Sequence, residues 1–95
     1  MLTILTNATI FTGQEKIAGK ALVIEDDKIK AIVDKEKLPE HAELIDCDEN
    51  FIAPGLIDLQ IYGGGGFLFS NDPSVHALDA MSDGLMATGT TGFLI

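Results

Sequence analysis

The sequence predicts an α/β chain, with antiparallel β-structure over residues 1–53 and the first strand–helix–strand unit of a parallel sheet over residues 54–95. Three observations predict it. Ala21 to Glu25 and Lys28 to Val33 are β-prone runs around Asp26-Asp27, the pattern of a tight hairpin. Leu56 to Tyr62 carries apolar residues on both faces, as a strand inside a parallel sheet does. After Asp72-Pro73, the residues Val75, Leu78, Met81 and Leu85 recur at helical spacing.

The elements follow in order. Thr3 to Thr12 is β-rich and breaks at Asn7. In Lys28 to Val33, Ile29, Ala31 and Val33 alternate with Lys28, Lys30 and Ile32, which predicts a half-exposed antiparallel strand. Asp34 to His41 is polar and contains Pro39, so it reads as a loop or a single turn. Glu43 to Cys47 is a further short strand, Asp48-Glu49-Asn50 is a turn, and Phe51-Ile52-Ala53 leads into Pro54-Gly55. These pieces make a small sheet or half of a sandwich.

The pattern changes at Pro54. Leu56 to Tyr62 reads as one strand, and four glycines, Gly63 to Gly66, follow it. A helix over roughly Pro73 to Ala87 is expected, with Asp72 as N-cap and Pro73 at the first helical position. Gly84 weakens this helix, and Gly89 stops it. Thr90 to Ile95 opens a second strand, parallel to and beside the first through a right-handed crossover. An apolar strand ending on Phe93-Leu94-Ile95 predicts a truncated piece of a longer protein.

Charge narrows the function classes. The chain has six Lys, no Arg and fifteen acids, a net charge of −9. A nucleic-acid partner is not expected, because a phosphate backbone calls for a basic surface. All the Lys lie between Lys16 and Lys37, and from Leu38 onward there are nine acids and no basic residue other than His. An anionic ligand held by that half would need backbone N–H groups or cations from elsewhere. The start, MLTILTNATI, lacks the basic and apolar regions of a signal peptide, and no apolar run approaches the ~20 residues of a membrane span. The expected compartment is the cytoplasm, with no membrane partner.

Few side chains look chemical on their own. Cys47 is the single cysteine, has acidic neighbours, and is not expected to be reactive. His41 sits in a polar loop, and His76 falls in the first helix turn, where a structural role is expected. Asp26-Asp27 lacks the ligand count of a calcium loop.

Three stretches carry a family resemblance. Ile52-Ala53-Pro54-Gly55-Leu56-Ile57-Asp58-Leu59 resembles the lead into the first barrel strand of the amidohydrolases. Asn7 to Thr12 and Val23 to Ile29 resemble their opening β-segment. Most members continue with a His-x-His metal pair, and here those positions are Gln60 and Tyr62, an amide and a phenol that bind divalent metal poorly. Gln60 followed by Gly63 to Gly66, with Gly89-Thr90-Thr91-Gly92-Phe93-Leu94 later, is similar to the N-acetylglucosamine-6-phosphate deacetylases within that superfamily. Tyr62 departs from the Asn frequent at its position.

The resemblance implies a composite enzyme: a small β-sandwich completed by a segment from the far C-terminus, and a (β/α)8 TIM-like barrel begun by residues 54–95. It implies a metal-dependent hydrolase of amino-sugar metabolism that converts N-acetylglucosamine 6-phosphate to glucosamine 6-phosphate and acetate. A divalent metal of zinc or iron type would activate water, held by a Glu and two His on later strands, with a catalytic Asp. No catalytic residue and no metal ligand is expected within residues 1–95, which alone should be inactive. The full-length enzyme is expected to form a homodimer.

Within the chain, Asp58, Gln60, Tyr62, Gly63 and Gly64 are expected to line the pocket, because barrel active sites lie at the C-terminal ends of the strands. Asp58 and Gln60 fall two apart on one strand face, Asp58 as a buried hydrogen-bonding residue and Gln60 near the metal without ligating it. A bare glycine run also reads as a flexible turn, but its place at a strand's C-terminal end favours lining the site. Two other readings stay open: an amidohydrolase of dihydroorotase-like or adenine-deaminase-like type, which normally keeps the His pair, and a non-catalytic β-rich module that binds a partner through its open sheet.

Overall fold

A computed structural model describes residues 1–95. The chain is mainly β with one helix and divides into two compact units, Met1–Pro54 and Gly55–Ile95.

In the first unit, β1 (Leu2–Thr6), β4 (Lys20–Glu25), β5 (Lys28–Asp34) and β6 (Glu43–Asp46) form one sheet in the order β5-β4-β1-β6. A second sheet has the order β3-β2-β7, from β2 (Thr9–Phe11), β3 (Lys16–Ile17) and β7 (Phe51–Ile52). The break between β1 and β2 falls at Asn7, whose φ of 56° turns the chain. The β4–β5 hairpin closes through Asp26-Asp27, with Asp26 also left-handed at φ 55°. Lys35–Lys37 forms the single turn expected before Pro39, as a 3-10 helix.

The pairing corrects one expectation. The segment is mixed rather than antiparallel, since β1 pairs in parallel with β6 and β2 with β7. One excursion of the chain adds a strand to each sheet in the same direction: β6 joins β1, the left-handed Asp48 and Glu49 turn the chain, and β7 joins β2.

A second correction concerns β5. Ile24 pairs with Ile29 and Val23 with Ala31, so Lys30 is the extra residue of a β-bulge. The bulge reverses the alternation, because opposed neighbours on β4 face opposite ways. Ile29 therefore leaves the face of Ala31 and Val33 and joins Ile32. The four-stranded sheet is consequently apolar on both sides. One side holds the buried Ile4, Ala21 and Val23, packed by Leu2, Val33, Leu38 and Ala42. The other opens on a groove of about 250 Å³ lined by Ile10, Phe11, Leu22, Ile29, Ile32 and Ile52, among others.

In the second unit, β8 (Leu56–Asp58) and β11 (Thr90–Phe93) pair in parallel, as expected, on either side of α1 (Val75–Met86). The first strand is shorter than expected: it ends at Asp58, and Leu59-Gln60 is a bend. Nor is it buried on both faces, since Leu56, Ile57 and Leu59 are 64%, 70% and 72% exposed. No barrel is closed by these two strands.

The helix begins two residues later than Asp72 predicts. Ser74 is the N-cap, its Oγ accepting the Ala77 N–H at 3.1 Å. Ala77 and Met81 are buried, whereas Val75 is exposed and off the packed face. After Met86 the chain turns out of the helix at Gly89, whose φ is 96°.

Gly84 has a packing reason. A Cβ built there would lie 2.6 Å from the Gly65 Cα and 2.7 Å from its nitrogen. The glycine run is a hairpin, β9 (Gly63–Gly64) against β10 (Phe67–Leu68), and its tip rests on the helix backbone. Gly65 and Gly66 form the tip with φ of 57° and 84°, the left-handed pair that a two-residue type I′ turn requires.

Candidate functional site

The candidate site lies where β8 ends. The Asp58 carboxylate accepts the Gln60 backbone N–H at 3.1 Å, which holds the bend at Leu59-Gln60. Beyond the bend, the Gln60 Nε2 donates to the Tyr62 Oη at 2.7 Å. The main chain is anchored to the neighbouring strand: Leu94 N–H donates to the Asp58 carbonyl at 2.9 Å, and Ile61 N–H to the Leu94 carbonyl at 3.0 Å. The Tyr62 carbonyl accepts the Phe69 N–H at 3.0 Å, which ties the foot of the glycine hairpin to the same turn.

Asp58, Gln60 and Tyr62 are thus brought together by two hydrogen bonds, but not as three positions along one strand. Asp58 is exposed rather than buried, and its hydrogen bond is to the main chain of the turn. Tyr62 walls an open cavity of about 290 Å³ with Ile61, Leu68, Phe69, Ser70 and Ile95. Gly63 follows directly and is half-buried. Gly64 faces elsewhere: a Cβ there would meet Leu85 of α1 at 3.2 Å.

The sequence reading missed Leu68, Phe69 and Ser70 as lining residues. Their signal was the apolar stretch right after four glycines, which returns beside Tyr62 once the glycines fold into a hairpin. His76 is exposed and stacks edge-on against Phe67, with ring centroids 5.5 Å apart.

No three His, Cys, Asp or Glu side chains gather anywhere in the chain as a metal ligand set would. The second unit contains Asp58, Asp72, Asp79 and Asp83 and no Lys or Arg, so His76 is its one basic side chain. No helix is long and apolar enough to cross a membrane. The Asp46 carboxyl, in the first unit, is held below the usual range. It accepts the Asp48 backbone N–H, the larger cause, and the Asn7 side-chain amide.

The architecture has a close counterpart. A crystal structure of N-acetylglucosamine-6-phosphate deacetylase from Pasteurella multocida superposes on 99% of this chain with a TM-score of 0.94 and 40% identity. The chain matches the N-terminal portion of the N-acetylglucosamine-6-phosphate deacetylases, in the amidohydrolase superfamily. The family described as the NagA composite domain matches residues 4–50. N-acetylglucosamine-6-phosphate deacetylases of Haemophilus influenzae and Bacillus subtilis are 32% and 34% identical over 95% and 96% of this chain. A crystal structure of an amidohydrolase matches 68% of the chain and 17% of its own, with a TM-score of 0.58 and 26% identity. The chain spans about a quarter of the relatives it matches, 24% and 23% of the two curated deacetylases and 25% of the Pasteurella structure.

Proposed function

We propose that this chain is the N-terminal part of a metal-dependent deacetylase that hydrolyses N-acetylglucosamine 6-phosphate to glucosamine 6-phosphate and acetate. The observation that carries the reading is the Pasteurella deacetylase match, a TM-score of 0.94 over 99% of the chain. In this reading residues 1–53 are a small sandwich and residues 54–95 begin a (β/α)8 barrel. The groove lined by Ile29, Ile32 and Ile52 then belongs to a sandwich that a later segment of the protein completes. The whole enzyme works in the cytoplasm as a homodimer, in amino-sugar breakdown.

The reaction adds water across the amide. The C–N bond breaks, the acyl carbon takes the oxygen, and the amine leaves with a proton. The 95 residues offer no ligand set for a divalent metal, whose holders and the catalytic Asp would lie elsewhere in the longer protein. Asp58, Gln60, Tyr62 and Gly63 support the pocket at the end of β8 rather than supplying the base, and Gly64 contributes only by seating the hairpin against α1. Gln60, tied to Tyr62, shapes the pocket without ligating metal.

Acetate release and metal content test this on residues 1–95, the full-length protein and its Gln60→Ala variant. The full-length protein should turn over with bound metal, and Gln60→Ala should keep most of the metal while turning over more slowly. Residues 1–95 should show neither metal nor turnover. Turnover by residues 1–95 alone, or no acetate from the full-length protein, sinks the reading. Complete metal loss in Gln60→Ala makes Gln60 a ligand instead.

A further inference from the structure

We propose that Gly84 is a positioning residue, which seats the tip of the glycine hairpin against α1 and so sets where the pocket wall of Tyr62, Leu68 and Phe69 stands. The inference rests on the deacetylase reading and adds a residue outside the pocket that governs substrate binding.

The seat is made by backbone from both sides. A Cβ on Gly84 would lie 2.6 Å from the Gly65 Cα, and a Cβ on Gly65 would collide with the Ala80 carbonyl oxygen of the same helix. At these two positions the missing side chain is required by the approach of hairpin and helix. Neither obstacle is a side chain that could swing aside, so an added methyl has to move the hairpin itself. Carbon atoms pack about 3.5 Å apart, so Ala at position 84 displaces the tip by about 1 Å. The path from the tip to the pocket is short. The tip closes β9 on β10, where Gly64 pairs with Phe67 and Gly63 with Leu68. At the foot, the Phe69 N–H donates to the Tyr62 carbonyl at 3.0 Å. Tyr62, Leu68 and Phe69 line the open cavity beyond the end of β8, the end at which barrel active sites lie. Gly84 does not line that cavity and acts on it through the hairpin.

The test uses the full-length protein, with Asp83→Ala, an exposed neighbour on α1, as control. Gly84→Ala should raise KM for N-acetylglucosamine 6-phosphate about tenfold. That is less than the roughly hundredfold that misplacing reacting groups by about 1 Å can cost, because the wall holds the substrate without reacting with it. A variant that is merely destabilised loses active molecules, which lowers kcat and leaves KM where it was. Hydrogen exchange reads the seat without reference to activity. Amides of residues 63–69 should exchange about tenfold faster in Gly84→Ala, with those of β8 and β11 within about twofold of the parent. Asp83→Ala should match the parent in both measurements. Leu85→Ala removes the side chain against which Gly64 packs. It loosens the same seat without overpacking it, should shift both readouts the same way by less, and decides the matter if Gly84→Ala does not fold. An unchanged KM, or residues 63–69 exchanging as in the parent, overturns the positioning role while the deacetylase reading stands. A wild-type protein that releases no acetate overturns the deacetylase reading and the effect on KM with it.

Discussion

The two units divide their apolar residues very differently. Met1–Pro54 buries Ile4, Ile10, Ala21, Leu22 and Val23, whereas Gly55–Ile95 buries only Ala77 and Met81. Among the large exposed apolar residues, nine of fourteen belong to the shorter second unit, including Leu56, Ile57, Leu59, Leu94 and Ile95. One unit encloses a core of its own. The other leaves both faces of β8 to solvent, while β11 packs against the helix, and gains its order from the helix and the glycine hairpin. Parallel strands of this composition are ordinarily covered on both faces. Identical substitutions in the two units should therefore have unequal consequences.

The largest difference is expected between Ile4→Ala and Ile57→Ala in the 95-residue chain. Ile4 is fully enclosed, so its truncation should cost about 3 kcal/mol. Ile57 is 70% exposed, and the same change should cost less than about 0.5 kcal/mol. Urea unfolding of the two variants measures this, and equal costs would erase the contrast between the units.

Next comes Gly84→Ala. Helix propensity favours Ala by about 1 kcal/mol, but the added methyl meets the Gly65 backbone rather than a side chain that could swing away. Overpacking of about 1–3 kcal/mol should prevail, giving net destabilisation. Asp83→Ala, one residue earlier and exposed, should be neutral or slightly stabilising. Thermal unfolding of both settles the sign, and a stabilised Gly84→Ala would mean the hairpin does not rest on the helix.

The smallest effect belongs to the first unit. Asn7→Gly keeps the left-handed turn but removes one of two donors to Asp46. Asp46 should then titrate at higher pH, still below the ordinary carboxylate value, because the Asp48 N–H remains. Since the folded value is the depressed one, this stabilisation is present above the unfolded pKa and fades as pH falls through the folded pKa. The variant should lose it at a higher pH than the parent. Carboxyl NMR titration of Asp46 reads the shift directly, and an unchanged value would assign the whole effect to Asp48.

Local chemistry explains what was legible in the sequence. Asn7, the Asp26-Asp27 pair and Gly89 each turn the chain by their own backbone preferences, so their places could be read directly. Strand direction could not. Glu43–Asp46 looks the same whether it runs along β1 or against it, and the choice lies in pairing across about forty residues. The helix start was read two residues early because Asp72 before Pro73 fits the common start pattern, whereas Ser74, with its extended backbone and its Oγ on the Ala77 N–H, makes the cap. At the candidate site, Asp58, Gln60 and Tyr62 stood out by residue type. Their mutual hydrogen bonds did not, because a bend replaces the regular alternation assumed for a strand.

The bulge at Lys30 bears on which length changes β5 tolerates. Every other β5 residue already has its partner on β4, from Glu25 with Lys28 to Lys20 with Asp34. Deleting Lys30 would remove the unpaired residue and leave each remaining side chain on its present face, at the loss of one exposed ion pair with Glu25. Deleting Ile32 instead would bring Val33 next to Ala31 and put the strand on either side out of phase, with one half turned over relative to the sheet. Gene variants of this protein that shorten β5 by one codon should therefore be tolerated at position 30 and purged a few codons downstream.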